Sequence, residues 1–147
     1  MKKAIMAGVI SIFSLSACDD GDVVTVDSSK PEGTFTIAKD GNFVEQNSTG
    51  STGTASLGTD ANGIEFLKFE NNFNTNLATG TVTVYLSTSM TYMADPGNGN
   101  PDLLLVGIVN KAGENYFKID PAAPSKFTHV ILWCGSANIP FGYAELN

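Results

Sequence analysis

The sequence predicts an all-β domain, a single β-sandwich or flattened barrel of about eight short, mostly antiparallel strands. Three observations lead there. Apolar and polar residues alternate with period two in several short segments, the pattern of a strand with one face in a core. Turn residues (Asp-Gly, Asn-Gly and Pro-Gly clusters) punctuate those segments at intervals suited to hairpins. No window carries apolar residues at helical spacing.

The elements follow in order. Gly33 to Ala38 alternates Phe35 and Ile37 with threonines, and Asp40-Gly41 then reads as a hairpin turn that returns through Asn42–Gln46. Asn47 to Gly53 is a polar loop, Thr54 to Thr59 a weak strand, and Asp60 to Gly63 a second turn. Ile64 to Glu70 places Ile64, Phe66 and Lys68 on one face and Glu65, Leu67 and Phe69 on the other. Thr81 to Ser87 sets Val82, Val84 and Leu86 against Thr81, Thr83 and Tyr85. A Pro/Gly/Asn loop, Ala94 to Pro101, leads to Leu103–Val109, which is apolar on both faces and so predicts a central strand. Asn115–Ile119 is a short strand, Phe127–Cys134 the most apolar one, and Phe141–Leu146 the last. Pro140-Phe141-Gly142 reads as a tight corner, with Trp133 and Phe141 as core residues.

The N-terminus has a different character. Lys2 and Lys3 precede an apolar run from Ala4 to Phe13, too short for a hydrocarbon core that takes about 20 apolar residues. It fits the apolar region of an export signal. Leu15-Ser16-Ala17-Cys18 follows, and it resembles the lipobox of bacterial lipoproteins. The expectation is a cleaved leader at 1–17 and a lipid-bearing Cys18. An acidic tether then runs over 18–32, and a β-domain over 33–147. Each buried CH₂ of a diacylglycerol thioether contributes ~0.8 kcal/mol, so two or three acyl chains anchor the chain to a membrane. The predicted location is the cell envelope, outside the cytoplasm, on the periplasmic or surface side.

Charge narrows the partners. The chain has 15 acidic residues against 8 basic ones, no arginine, and a net charge of −7. Two of the lysines lie in the leader, so the exported part is more acidic still. That balance argues against nucleic acid as a partner. There are two cysteines. With Cys18 spent on lipid, Cys134 has no partner in the chain, and a lone thiol in an oxidising compartment is either buried, reactive or paired with another molecule.

The C-terminal third carries a distinctive series: Tyr116-Phe117-Lys118-Ile119-Asp120, then Phe127 to Trp133-Cys134, then Ile139-Pro140-Phe141-Gly142-Tyr143-Ala144-Glu145-Leu146. Upstream stand Phe66 to Phe73, Val84-Tyr85-Leu86-Ser87, Gly107, and Lys111 to Tyr116. Together these resemble the DM-thirteen (electron-transfer DM) domain over about Gly33 to Leu146. One stretch departs from the family pattern. Ala78-Thr79-Gly80-Thr81 stands where the family often has Asn-Gly-Pro-Asp. The resemblance implies an extracytoplasmic electron-transfer role, with Cys134 as a redox thiol or a haem ligand.

The residues themselves leave the role of Cys134 open between a packed, inert thiol and a reactive one. A reactive thiol needs a lowered pKa. His129, the single histidine, shares the strand with Cys134, yet alternation points it to the opposite face. The N–H groups of Gly135 to Ala137 could stabilise a thiolate. For haem there is no C-x-x-C-H, so thiolate ligation by Cys134 is the available chemistry, with Met90, Met93 or His129 as second ligand. The loop from Asp95 to Asp102 holds oxygen ligands for Ca²⁺ without EF-hand spacing, and no metal ligand is assigned. Paired carboxylates, a Ser-His-Asp set and a phosphate loop are not recognisable, so a stand-alone enzyme is not expected. Two functions remain. One is a membrane-tethered redox module that acts on an extracytoplasmic protein partner through Cys134. The other is a non-catalytic binding or adhesion module that uses the loops Asn47–Gly53 or Ala94–Pro101.

Overall fold

A computed structural model describes residues 30–93 and 100–147. The leader, the lipobox Cys18, the tether as far as Ser29, and most of the Ala94–Pro101 loop (with the Asp95 end of the oxygen-rich segment) lie outside the described residues.

Eight strands form: β1 (Thr36–Glu45), β2 (Thr54–Thr59), β3 (Glu65–Phe69), β4 (Val82–Ser87), β5 (Leu103–Val109), β6 (Asn115–Ile119), β7 (His129–Cys134) and β8 (Ile139–Glu145). They make one sheet in the order β5-β4-β7-β8-β1-β2-β3-β6, antiparallel at every step. The sheet curls until its end strands, β5 and β6, lie side by side without hydrogen bonding. The result is a nearly closed, flattened barrel, and no helix forms among the described residues.

The alternation read from the sequence sets the inside. Leu67 and Phe69 of β3, Val82, Val84 and Leu86 of β4, and Val130, Leu132 and Cys134 of β7 all belong to one buried cluster. Phe69 is its aromatic centre, with ring centroids 5.0 Å from Phe43, 4.5 Å from Phe73 and 5.0 Å from Phe117. Such edge and tilted contacts add to simple burial. At the seam, Phe117 packs against Gly107, where a Cβ would come within 2.4 Å of the ring. A side chain at 107 would wedge β5 from β6.

Four expectations are corrected. Asp40-Gly41 is not a hairpin turn, because β1 runs straight through it. Asp40 bonds through both its N–H and its C=O to Asn147, while Asp40 and Gly41 face Ser56 and Ala55 of β2. Glycine is there for room: a Cβ at 41 would sit 1.9 Å from the Glu145 carbonyl oxygen. Second, β5 is an end strand and not a central one. Its apolar outer residues Leu105 and Ile108 are 58% and 55% exposed, so two-faced hydrophobicity here reflects an uncovered surface. Third, Pro140-Phe141-Gly142 is a bulge inside β8, opposite the step from Leu132 to Trp133. The extra residue is Phe141, which enters the core. Fourth, Trp133 lies outside the core, half-buried on the outer face and stacked on Tyr92 at 3.9 Å and 19°.

The Asn47–Gly53 loop is built inward. The Thr49 hydroxyl reaches the carbonyl oxygens of Gln46 and Phe141, Ser51 bonds Thr75 at 2.7 Å, and the Asn47 amide donates to the Pro140 carbonyl at 2.7 Å. These groups brace the loop against β8 and are spent on the protein itself.

Candidate functional site

Cys134 ends β7, where the strand gives way to the turn from Gly135. Its side chain points inward and is fully buried. Polar groups nevertheless surround the sulfur. Sγ lies 3.3 Å from the Ser136 hydroxyl and 3.6 Å from the Thr79 hydroxyl. Ser136 Oγ in turn donates to the Thr79 carbonyl oxygen at 2.7 Å. Thr79 and Gly80 thus form a lip over the thiol, pinned by the Ser136 hydroxyl. Gly80 takes φ +109°, a conformation few other residues adopt, and a Cβ there would press on Ser136 Oγ at 3.1 Å.

Burial pushes the Cys134 thiol up. The Ser136 hydroxyl, the Ala137 N–H, the Thr79 hydroxyl and the Ser136 N–H together outweigh it and hold the thiol below its ordinary range. The Ser136 proton is committed to the Thr79 carbonyl in the neutral state. There the S–H donates to Ser136 Oγ. On ionisation the hydroxyl can rotate to donate to sulfur, exchanging a neutral bond for a charge-assisted one.

The other candidates fall elsewhere. His129, Ile131 and Trp133 occupy the outer face of β7, as alternation requires. His129 Nδ1 lies 2.9 Å from the Thr128 hydroxyl, and its ring faces Tyr143 at 6.4 Å. Met90 and Met93 are on the outside too, 53% and 66% exposed. A haem iron on Sγ would therefore have none of these three as a second ligand, and the enclosed sulfur leaves no open side for a macrocycle. These residues do not fit haem.

The turn N–H groups at 136 and 137 were legible as thiolate donors in the sequence. Thr79 was not. It lies 55 residues before Cys134, and its only trace was that Ala78–Thr81 interrupts the pattern the chain otherwise resembles. On the outer face, a cleft of about 360 Å³ is lined by Gln46, Met90, Thr91, Tyr92, Trp133 and Pro140. No sequence pattern brought these residues together.

The chain is thus a small, nearly closed antiparallel β-barrel with a hydrogen-bonded thiol held at a strand end. The family model described as electron transfer DM13 matches residues 42–146, and the chain belongs to that family. No curated protein and no solved structure matches the chain.

Proposed function

We propose that this chain is a lipid-anchored, extracytoplasmic electron-transfer module in which Cys134 is the redox thiol. Cys18 carries the lipid, and a partner protein outside the cytoplasm supplies or receives the electrons. The observation that carries this reading is the polar cradle at Sγ. A cysteine serving only as a small hydrophobe gains little from two hydroxyls and two N–H groups aimed at it. Membership in the electron transfer DM13 family adds to it.

The chemistry available is thiol–disulfide exchange. The Cys134 thiolate attacks one sulfur of a partner disulfide, a mixed disulfide forms, and the partner's other sulfur leaves as thiolate. A thiol of another molecule then attacks the partner sulfur of the mixed disulfide, takes Cys134's place in a disulfide with the partner and releases Cys134 as thiolate, so the reducing equivalent passes from that thiol to the partner disulfide. Because Sγ is covered, attack requires the Thr79–Gly80 lip to lift. The bond that holds it to Ser136 is the one that rotates on ionisation.

The test is the rate of Cys134 alkylation against pH in folded protein carrying Cys18→Ser. The expected result is labelling of the native state with an apparent ionisation below the free-thiol value of about 8.5. Labelling only after denaturation would overturn the reading in favour of a binding module.

A further inference from the structure

The segment ahead of β1 straps the outside of the sheet. Glu32 is pinned to the turn between β2 and β3. Its N–H donates to the Asp60 carboxylate at 3.1 Å, its carbonyl accepts from the Ala61 N–H at 2.9 Å, and its carboxylate accepts from the Asn62 amide at 2.8 Å. The Phe35 ring lies over Gly58, which faces Phe66 across the β2–β3 pair. Phe66 is outside the core cluster, yet it is only 1% exposed. Going back along the chain, the strap heads for β6 and β5. Lys30 shares one cleft with Glu32, Phe66 and Lys118, and a second, of about 430 Å³, with Ile108, Tyr116 and Phe117.

That second cleft is one end of a groove. A further cleft of about 290 Å³, with Leu104, Leu105, Val106, Lys118 and Ile119 in its walls, continues along the same seam between β5 and β6. The two strands are not joined there by hydrogen bonds. Leu105 and Ile108 stand out along the groove, three residues and about 10 Å apart on β5. More than half of each side chain is left uncovered by the described residues. Apolar side chains grouped along a groove mark a surface that something covers.

We infer that Val23–Val26 of this same chain docks along the β5–β6 groove, with Val24 and Val26 against Leu105 and Ile108. The described chain ends at the mouth of that groove, where Lys30 and Ile108 line one cleft. Val26 stands four residues before Lys30 and Val24 six, reaches of about 14 and 21 Å. That is enough to pass Ile108 and arrive at Leu105. Val23, Val24 and Val26 are the only branched apolar side chains between Cys18 and Ser29, and in an extended chain Val24 and Val26 fall on one side. A second copy of the chain competes poorly for the groove, because a segment on so short a linker is present at an effective concentration of about a millimolar. One consequence rests on the lipid-anchored reading above. Docking shortens the leash from the twelve residues that separate Cys18 from Lys30 to the five that separate it from Val23. Its reach falls from about 43 Å to about 18 Å, which holds the barrel close to the membrane with the groove on the near side.

Methyl NMR of the full chain carrying Cys18→Ser tests the docking without any lipid. The expected result is nuclear Overhauser contacts from the Val24 and Val26 methyls to those of Leu105 and Ile108. They should be unchanged on dilution, and in a mixture of differently labelled chains they should arise within one molecule. Val24→Asp with Val26→Asp, both outside the barrel, should abolish these contacts and shift the Leu105 and Ile108 methyls. The core methyls of Val84 and Leu132 should stay where they are, which shows that the variant is folded. Absence of the contacts in the parent, contacts that pass only between molecules, or contacts to the apolar run Ala4 to Phe13 in their place would each overturn the inference. Acylation of Cys18, read separately as incorporation of labelled palmitate, keeps the two readings apart. Docking without acylation would remove the anchor and leave the docked segment, and acylation without docking would sink the docking alone.

Discussion

Replacing Gly41 with alanine tests the claim that β1 runs unbroken past Asp40. A Cβ at 41 would sit 1.9 Å from the Glu145 carbonyl oxygen, and ordinary contact begins near 3.4 Å. The C-terminal segment must therefore retreat by about 1.5 Å, the difference between those two distances. The paired bonds between Asp40 and Asn147, at 3.2 and 3.0 Å, cannot survive that displacement, and each is worth about 1 kcal/mol. Leu146, only 3% exposed, is drawn partly out of the core as well. The sum is a loss of about 2–4 kcal/mol, or a fall in Tm of about 10 °C for a domain of this size. Urea unfolding followed by tryptophan fluorescence measures it. Gly41→Asn makes the test sharp. A hairpin glycine with positive φ tolerates asparagine far better than alanine, but Gly41 is not among the left-handed glycines. Asparagine should then be at least as damaging as alanine. If asparagine is benign, the argument from close approach is wrong.

Four further outcomes follow from the same geometry. Ser136→Ala removes a donor to the Cys134 thiolate, so the alkylation profile should move to higher pH, and a move to lower pH would mean that Ser136 only accepts. Because the folded thiol is held low, the stability of the parent relative to Cys134→Ser should rise with pH through the folded thiol's ionisation. It should level off above the unfolded value of about 8.5. Asp60 offers the carboxylate counterpart. Burial pushes its carboxyl up, but the N–H groups of Glu32, Ile64 and Asn62 outweigh this and hold it below the usual range. Asp60→Asn should therefore destabilise at neutral pH. That difference should shrink as pH falls through the folded carboxyl's ionisation, and equal effects at pH 7 and pH 2 would refute it. Phe69→Ala, at the hub of four phenylalanines, should cost about 3–5 kcal/mol in chemical denaturation, and a loss below ~2 kcal/mol would contradict the packing described.

Local pattern carried most of the fold. Thr54–Thr59 and Asn115–Ile119 were readable to the residue because each strand is short and is bounded by turn residues. The errors came where one residue type serves two purposes. Asp-Gly marks a turn when glycine supplies a positive φ, but at Gly41 it supplies the absence of a side chain. Leu103–Val109 looked central because its outer residues are apolar, and a sequence does not say whether such residues are covered. Trp133 looked like core because its strand is core, yet its partner Tyr92 sits in a connection with no strand pattern. For the site, alternation placed Cys134 inward and His129 outward. The lip at Thr79–Gly80 was hidden because it is brought in by the β4–β7 pairing, which is set by the whole sheet.

The strand order also governs when this domain can exist. β1 depends on β8, and Asp40 is paired with Asn147, so β1 has an open side until β8 arrives. β4 likewise waits for β7 across more than forty residues. Such distant pairings close slowly. A nascent chain lacking its final strand has half a barrel with no lid on Phe43 or Val130. It stays pliable until β8 has been made. Completion of the fold thus waits for β8, and with it comes the enclosed environment of the thiol.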